Sequence, residues 1–286
     1  MVHRGANDAP YFFNDYRRLI YALFLGSVRD GSVFLVQKES YACSIPWDAS
    51  FSAAPSHAQD LRIATEGYYA PFNYIDDAGE LAGFDVDISN ALCAIMEMTC
   101  EIVQNDWDVL IPGLTGNEYD AIIASMSITA EREELVDFTL PYYSNMLTFV
   151  GNKEGQFSVS NDGMSGKSVG ALVNTVSSDY LNLNYADIVT VELYDTQNDA
   201  LNAMVAGEID LVLGDNLPIY AWLQTDQGND HEFIGEFIDI NDRISIAVRQ
   251  TDGDLLDKFN GALIEIIENG TYQEINAKYF PFSIYF

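Results

Sequence analysis

The chain has 286 residues, 48% of them hydrophobic and 13% aromatic, which is enough for one large domain or two ordinary ones and excludes a disordered chain. Thirteen lysines and arginines face 44 aspartates and glutamates, a net charge of −31, and all of the excess falls on residues 59–286, where eight bases meet 39 acids. So acidic a body excludes nucleic acid and anionic membranes as partners, because binding them needs lysine and arginine to displace counterions, and it suits saline surroundings that screen its self-repulsion.

Residues 1–58 carry balanced charge. An apolar run at 19–28 follows Arg17 and Arg18, and a cleavage-like Ser56-His57-Ala58 precedes Gln59. The two features lie too far apart for one signal peptide, so 1–58 reads as a leader of poor form, with a disordered extension as the alternative. No window holds the 18 or more consecutive apolar residues of a membrane span.

From residue 60 strands and helices alternate. A strand at 61–65 is followed by a helix at 85–98, with Ile88, Leu92, Ile95 and Met96 on one face, and by a strand at 100–104. A helix at 107–115 and strands at 119–123 and 145–152 come next. The alternation resumes with strand 168–172, a helix from 176, strand 188–193, helix 196–206, strand 209–213 and helix 216–224. A strand at 244–248 precedes an amphipathic helix at 254–269 that ends at Gly270. Such alternation predicts an α/β protein with mainly parallel sheets. Residues 114–123 (LTGNEYDAII) and 205–213 (VAGEIDLVL) echo each other: a helix end, a glycine that fits a C-cap, an aspartate and a buried strand. The echo predicts two similar lobes, 59–147 plus 245–286 and 148–244, joined by two extended segments.

Ligands of open α/β sheets bind beyond the carboxyl ends of the strands. Four predicted strands run into polar or aromatic clusters: Glu66 to Tyr69, Ser125 to Thr129, Asn174-Thr175, and Gly214 to Asn216. Their chemistry complements an amino acid. Arg132 can grip a carboxylate through two parallel hydrogen bonds, or can instead pair with Glu131, Glu133 or Glu134 at the surface. The helix start after Thr175 offers free N–H groups to the same carboxylate. Asp215 can take an ammonium, or cap a helix. Ser125 and Ser127 supply hydroxyls, or form a polar turn, and Tyr69 and Trp107 can wall a side chain or pack in the core. Cys93 and Cys100 are either a short-loop disulfide or two buried thiols, and Cys43 lies in the leader. The body's single histidine, His231, has no nucleophile motif beside it, and no phosphate loop or metal-ligand set is present. The expectation is binding without catalysis, cofactor or metal.

Several stretches then carry a resemblance: TEGYYAPFNY at 65–74, GELAGFDVDI at 79–88, DWDVLIPGL at 106–114, YDAIIASMSITAER at 119–132, VDFTLPYY at 136–143 and GTYQEINAKYF at 270–280. Through them residues 60–286 resemble the extracytoplasmic solute-binding proteins of polar amino-acid ABC transporters, most of all the lysine/arginine/ornithine, histidine and opine binders. The resemblance implies a type II periplasmic-binding-protein fold, two α/β lobes joined by two hinge strands around a central cleft. It also implies export to the periplasm, a monomer, and a membrane permease as partner. By the same resemblance Arg132, Ser127 and the backbone at Thr175 and Val176 hold the ligand carboxylate. Asp215, Ser125 and the backbone of Ala124 hold the ammonium. Tyr69, Trp107 and Leu172 are walls, Glu66 faces a cationic side chain, and Cys93–Cys100 is a disulfide. The chain departs from relatives at Val173-Asn174-Thr175, where Gln-Gly-Thr is frequent, and at Val176, where a hydroxyl is frequent. The fold also serves some dehydratases of aromatic amino-acid precursors and some sensor modules, but the serine motif with Arg132 and Asp215 favours binding.

Overall fold

The computed structural model describes residues 60–285. The leader expected at 1–58 and Cys43 lie outside them. The chain opens with β1 (Asp60–Thr65), the short β2 (Tyr68–Tyr69), β3 (Asn73–Ile75) and β4 (Leu81–Ala82), and α1 (Phe84–Ile95). There follow β5 (Thr99–Gln104), a 3-10 turn at Trp107–Val109, α2 (Leu110–Thr115), β6 (Ala121–Ile122), α3 (Ala130–Glu133) and β7 (Val136–Phe138). A second series holds β8 (Tyr143–Asn152), α4 (Asn161–Met164), β9 (Ser168–Leu172), α5 (Val176–Tyr185), β10 (Thr190–Tyr194), α6 (Gln197–Val205), β11 (Leu211–Asp215), α7 (Asn216–Trp222) and β12 (His231–Ile244). The chain closes with β13 (Ala247–Arg249), α8 (Gly253–Glu268) and α9 (Thr271–Tyr279).

Among the described residues these strands form two five-stranded sheets, β5-β1-β6-β13-β7 and β10-β9-β11-β8-β12, and a small sheet β2-β3-β4. The expectation of mainly parallel sheets holds only for the cores β5-β1-β6 and β10-β9-β11. β13 runs antiparallel to β6 and β7, and β8 runs antiparallel to β11 and β12. The reversal follows from the path: the chain enters the second sheet along β8 and leaves it along β12. Those two strands pair from Tyr143–Ile244 to Asn152–His231, with register shifts on either side of Ile238. His231, after a 3-10 turn at Gly228–Asp230, begins the 14-residue β12.

The inner strands β6, β9 and β11 are mostly apolar and buried because helices cover both faces of their sheets. α1 buries Phe84, Ile88 and Leu92 in one cluster with Phe259, Leu263 and Ile266 of α8 and Tyr272 of α9. It starts at Gly83, where φ is 125° and a Cβ would collide with the Phe72 carbonyl, so this helix can sit close on the β3 chain. Its last turn is tied to β5 by the Cys93–Cys100 disulfide, with Cα atoms 6.2 Å apart. The second sheet has its own core around Leu147, Phe149, Val169, Leu181 and Leu213.

The sequence echo is a structural one. Arg62 at the start of β1 and Asp120 before β6 exchange two bonds: Asp120 N–H to Arg62 O (2.8 Å) and Arg62 N–H to Asp120 Oδ2 (3.0 Å). In the second sheet Asp210 N–H donates to Ser168 O (3.0 Å) and Ser168 N–H to Asp210 Oδ2 (2.9 Å). The helix ends differ in detail. Gly207 takes the left-handed position with φ 75°, whereas in the first unit Asn117, not Gly116, does so with φ 62°.

Candidate ligand-binding site

The carboxyl ends of β1, β6, β9 and β11 converge on one small cavity. Glu66, Tyr69 and Trp107 line it from the first series, with Ala124, Ser125, Ser127 and Arg132. Leu172, Thr175, Val176 and Asp215 line it from the second. Ser177 and Gln197 line it as well, and the sequence reading singled out neither.

Asp85, fully buried in α1, builds the first wall. It accepts from Asn73 Nδ2 (2.9 Å), Tyr142 OH (2.7 Å) and Ser125 Oγ (2.9 Å), and Asn73 Oδ1 in turn accepts the Gly67 N–H (2.8 Å). One carboxylate thus fixes both the Glu66–Tyr69 loop and Ser125, which sits at φ 54°. Burial pushes the Asp85 carboxyl up, and the three donors oppose this. Beside it, Met126 and Ile128 pair with the segment leaving β12: Ser245 N–H donates to Met126 O (3.0 Å) and Ile128 N–H to Arg243 O (2.9 Å). Ser127 Oγ donates to Asp242 Oδ2 (3.2 Å), so a 4% exposed carboxylate of β12 backs the cavity.

Thr129 caps α3 by accepting the Arg132 N–H, and the guanidinium turns to carbonyls, not to the neighbouring glutamates. Its Nη1 donates to Ser127 O (2.9 Å) and its Nη2 to Asn174 O (2.9 Å), and it lies 5.2 Å from the Trp107 ring centroid. Trp107 Nε1 donates to the same Asn174 carbonyl (3.3 Å). Asn174 is left-handed (φ 57°), a conformation that asparagine adopts more readily than most other residues. Burial lowers the Arg132 pKa, while Asp242, Asp179 and Asp215 act to raise it.

Thr175 and Ser178 form a capping box at α5. The Thr175 N–H is thereby held by Ser178 Oγ (3.1 Å), and the first-turn N–H groups of Val176 and Ser177 are the ones left for a ligand. Asp215 occupies the N-cap position of α7 but makes no capping bond with its side chain. Its carboxylate accepts from Tyr69 OH instead. Its pKa is raised to about 7, first by burial and then by Asp242, against the donors Tyr69 and Asn145 and the charge of Arg132. Glu66 is 2% exposed, its pKa is raised to about 7 by burial and then by Asp106, and its Oε1 has no partner. Asp215 and Asp242 thus act on the one guanidinium, and Glu66 adds a further buried carboxylate to the lining of the same cavity.

Residues 61–282 match the family described as bacterial extracellular solute-binding proteins, family 3. The chain belongs to this family. Among family 3 relatives, an L-arginine-binding protein of Pseudomonas aeruginosa is 36% identical over 244 residues, covering 82% of this chain and 94% of its own. The lysine/arginine/ornithine-binding periplasmic protein of Escherichia coli K12 is 32% identical over 243 residues, covering 83% and 92%. A solved ancestral arginine-binding protein bound to arginine matches with a TM-score of 0.74 at 31% identity, over 78% of this chain and 99% of that one. The family 3 fold is the two-lobed type II fold that the resemblance implied, and the family is extracytoplasmic.

The residues missed in the sequence differ in kind. Gln197 follows β10, so the strand-end rule would have found it had that strand been included. Ser177 is one step beyond Val176 on the same helix turn. Asp242 lies inside an antiparallel strand, where that rule has no reach.

Proposed function

We propose that this protein captures a polar, cationic amino acid (arginine, lysine, ornithine, histidine or an opine) and delivers it to the membrane permease of an ABC transporter. The observation that carries this reading is the buried carboxylate of Glu66, whose Oε1 has no hydrogen-bond partner among the described residues, in one cavity with Arg132 and Asp215. A zwitterion with a positive side chain supplies a counterpart to each. Its carboxylate meets Arg132, whose terminal nitrogens each keep one N–H beyond the bonds to Ser127 and Asn174, and the N–H groups of Val176 and Ser177. Its ammonium meets Asp215, the backbone of Ala124 and the oxygen of Ser125. The Ser125 proton is spent on Asp85, so toward the cleft this hydroxyl acts as an acceptor. The side chain runs between Tyr69, Trp107 and Leu172 toward Glu66. The names of the relatives, arginine and lysine/arginine/ornithine binders, agree with this reading.

A thermal-shift screen against the standard amino acids and common opines tests it, since a ligand that binds only the folded state raises its melting temperature. Cationic amino acids are expected to give the largest shifts and to be recovered unchanged. No shift with any amino acid, or recovery of a different molecule, would overturn the reading.

A further inference from the structure

Two polar groups lining the cleft have no hydrogen-bond partner among the described residues: Glu66 Oε1 and Gln197 Nε2. Both residues are buried, at 2% and 4% exposure. They come from opposite sheets, Glu66 following β1 and Gln197 opening α6, and their segments meet. Asn198, next to Gln197, donates through Nδ2 to the carbonyl of Tyr68 (3.3 Å), two residues beyond Glu66. The Gln197 amide lies flat on the backbone of Gly214, where a Cβ would stand 2.9 Å from both its oxygen and its nitrogen. A buried polar group without a partner is costly to the folded protein, and a ligand that meets it recovers that cost.

We propose that Gln197 and Glu66 together read the end of the ligand side chain, and that the group they fit is a guanidinium. This rests on the amino-acid binding proposed above. A glutamine amide presents either its oxygen or its NH₂ after a half-turn, and no hydrogen bond anchors the Gln197 nitrogen against that turn. With the oxygen toward the cleft, two acceptors approach from two chain segments. An ammonium concentrates its donors on one nitrogen, whereas a guanidinium spreads five N–H groups over a rigid plane and can serve separated acceptors at once. A neutral amide side chain could also bond both groups, but it would leave the Glu66 charge without a counter-ion in a cleft that already holds Asp215 and Asp242.

Calorimetry with arginine, lysine and glutamine on three proteins tests the proposal: wild type, Gln197→Leu, and Gly214→Ala. The first variant removes both polar atoms at similar volume. The second keeps the amide but puts a methyl group where it lies. Wild type is expected to prefer arginine, and both variants to lose about tenfold or more of their arginine affinity, the scale of a hydrogen bond to a charged group, with a smaller loss for lysine. Circular dichroism and ligand-free melting verify folding. Equal losses for arginine and lysine, or none, would overturn the proposal. So would a wild-type preference for glutamine that Gln197→Leu abolishes, which would assign an amide ligand. Should Gln197→Leu fail to fold, a folded Gly214→Ala with wild-type arginine affinity overturns it alone. Wild-type protein that binds no amino acid overturns the proposed function and this inference together, whereas arginine binding that both variants retain overturns only the inference.

Discussion

The hydroxyl of Tyr69 donates to Oδ2 of Asp215 at 2.5 Å, joining β2 to the end of β11 across the cleft. This bond explains why Asp215 sits at the start of α7 without capping it: its carboxylate is turned into the cavity and held there by the opposite sheet. The same bond favours the ionised carboxylate, the form that can receive an ammonium.

Tyr69→Phe therefore raises the Asp215 pKa above its value of about 7. At neutral pH less of the carboxylate is ionised and ligand binds more weakly. Affinity measured against pH should show its midpoint displaced upward, with the aromatic wall intact. A midpoint identical to wild type would show that Tyr69 acts only through its ring.

Glu66 and Asp215 also make ligand-free stability depend on pH. Their folded pKa values, about 7, lie above the ordinary carboxylate range near 4. Between those limits the folded protein holds more protons than the unfolded chain, so their contribution to stability falls as pH rises through the window. Ligand-free melting temperature should drop from about pH 5 to about pH 7.5, and less steeply in Glu66→Gln than in wild type. Comparison with that variant separates the effect from the general repulsion of an acidic surface. A cationic ligand favours the ionised forms, so its affinity should rise with pH up to about 7, with protons released on binding.

Glu66→Gln should also change the ranking of ligands. Losing the charge removes the counter-ion for a cationic side chain and leaves an amide in its place, so arginine and lysine weaken while glutamine holds or gains. The comparison belongs at high ionic strength, where the surface charge is screened. An unchanged ranking would assign Glu66 no part in reading the side chain.

Arg132→Ala leaves a bound carboxylate without its cation, a loss of roughly 3–5 kcal/mol by analogy with broken buried ion pairs. Calorimetry should register near-complete loss of binding while circular dichroism stays that of the wild type. Lysine at this position cannot reach the Ser127 and Asn174 carbonyls with one nitrogen in the same fork geometry, so Arg132→Lys should recover little.

The Cys93–Cys100 disulfide closes a short loop behind α1, and neither residue lines the cavity. Replacing both by alanine should cost roughly 2.5 kcal/mol on the loop-closure scale, read in denaturant unfolding, and leave ligand affinity unchanged. A loss of affinity would mean that α1 transmits strain through Asp85 to Ser125.

Much of the candidate site was legible in the sequence because parallel strands deliver their carboxyl ends to one place, with serine, threonine and aspartate gathered there, whereas Ala124, Leu172, Val176 and the role of Glu66 came only from the family resemblance. The spacing of Cys93 and Cys100 alone left the bond open. β12 was illegible for a physical reason: register shifts around Ile238 break the two-residue alternation, and its sequence HEFIGEFIDINDRI reads as a polar loop. With β12 hidden, Asp242 was hidden too, and so was the antiparallel pairing of β8 with β12. The strands β2, β3, β4 and β7 have only two or three residues each, too few to show any period.

The excess of carboxylates, Glu66, Asp215 and Asp242, in and behind a cleft with the single guanidinium of Arg132 bears on kinetics. An acidic surface draws every small cation toward the cleft at a similar rate, so encounter discriminates poorly among them. What differs is how well each occupant cancels the like charges that the two sheets bring face to face. A ligand that fits by shape but lacks the positive side chain leaves that repulsion in place, and it escapes sooner. Selectivity in this protein is thus expected to reside in dwell time: arrival rates nearly shared among amino acids, departure rates spread widely.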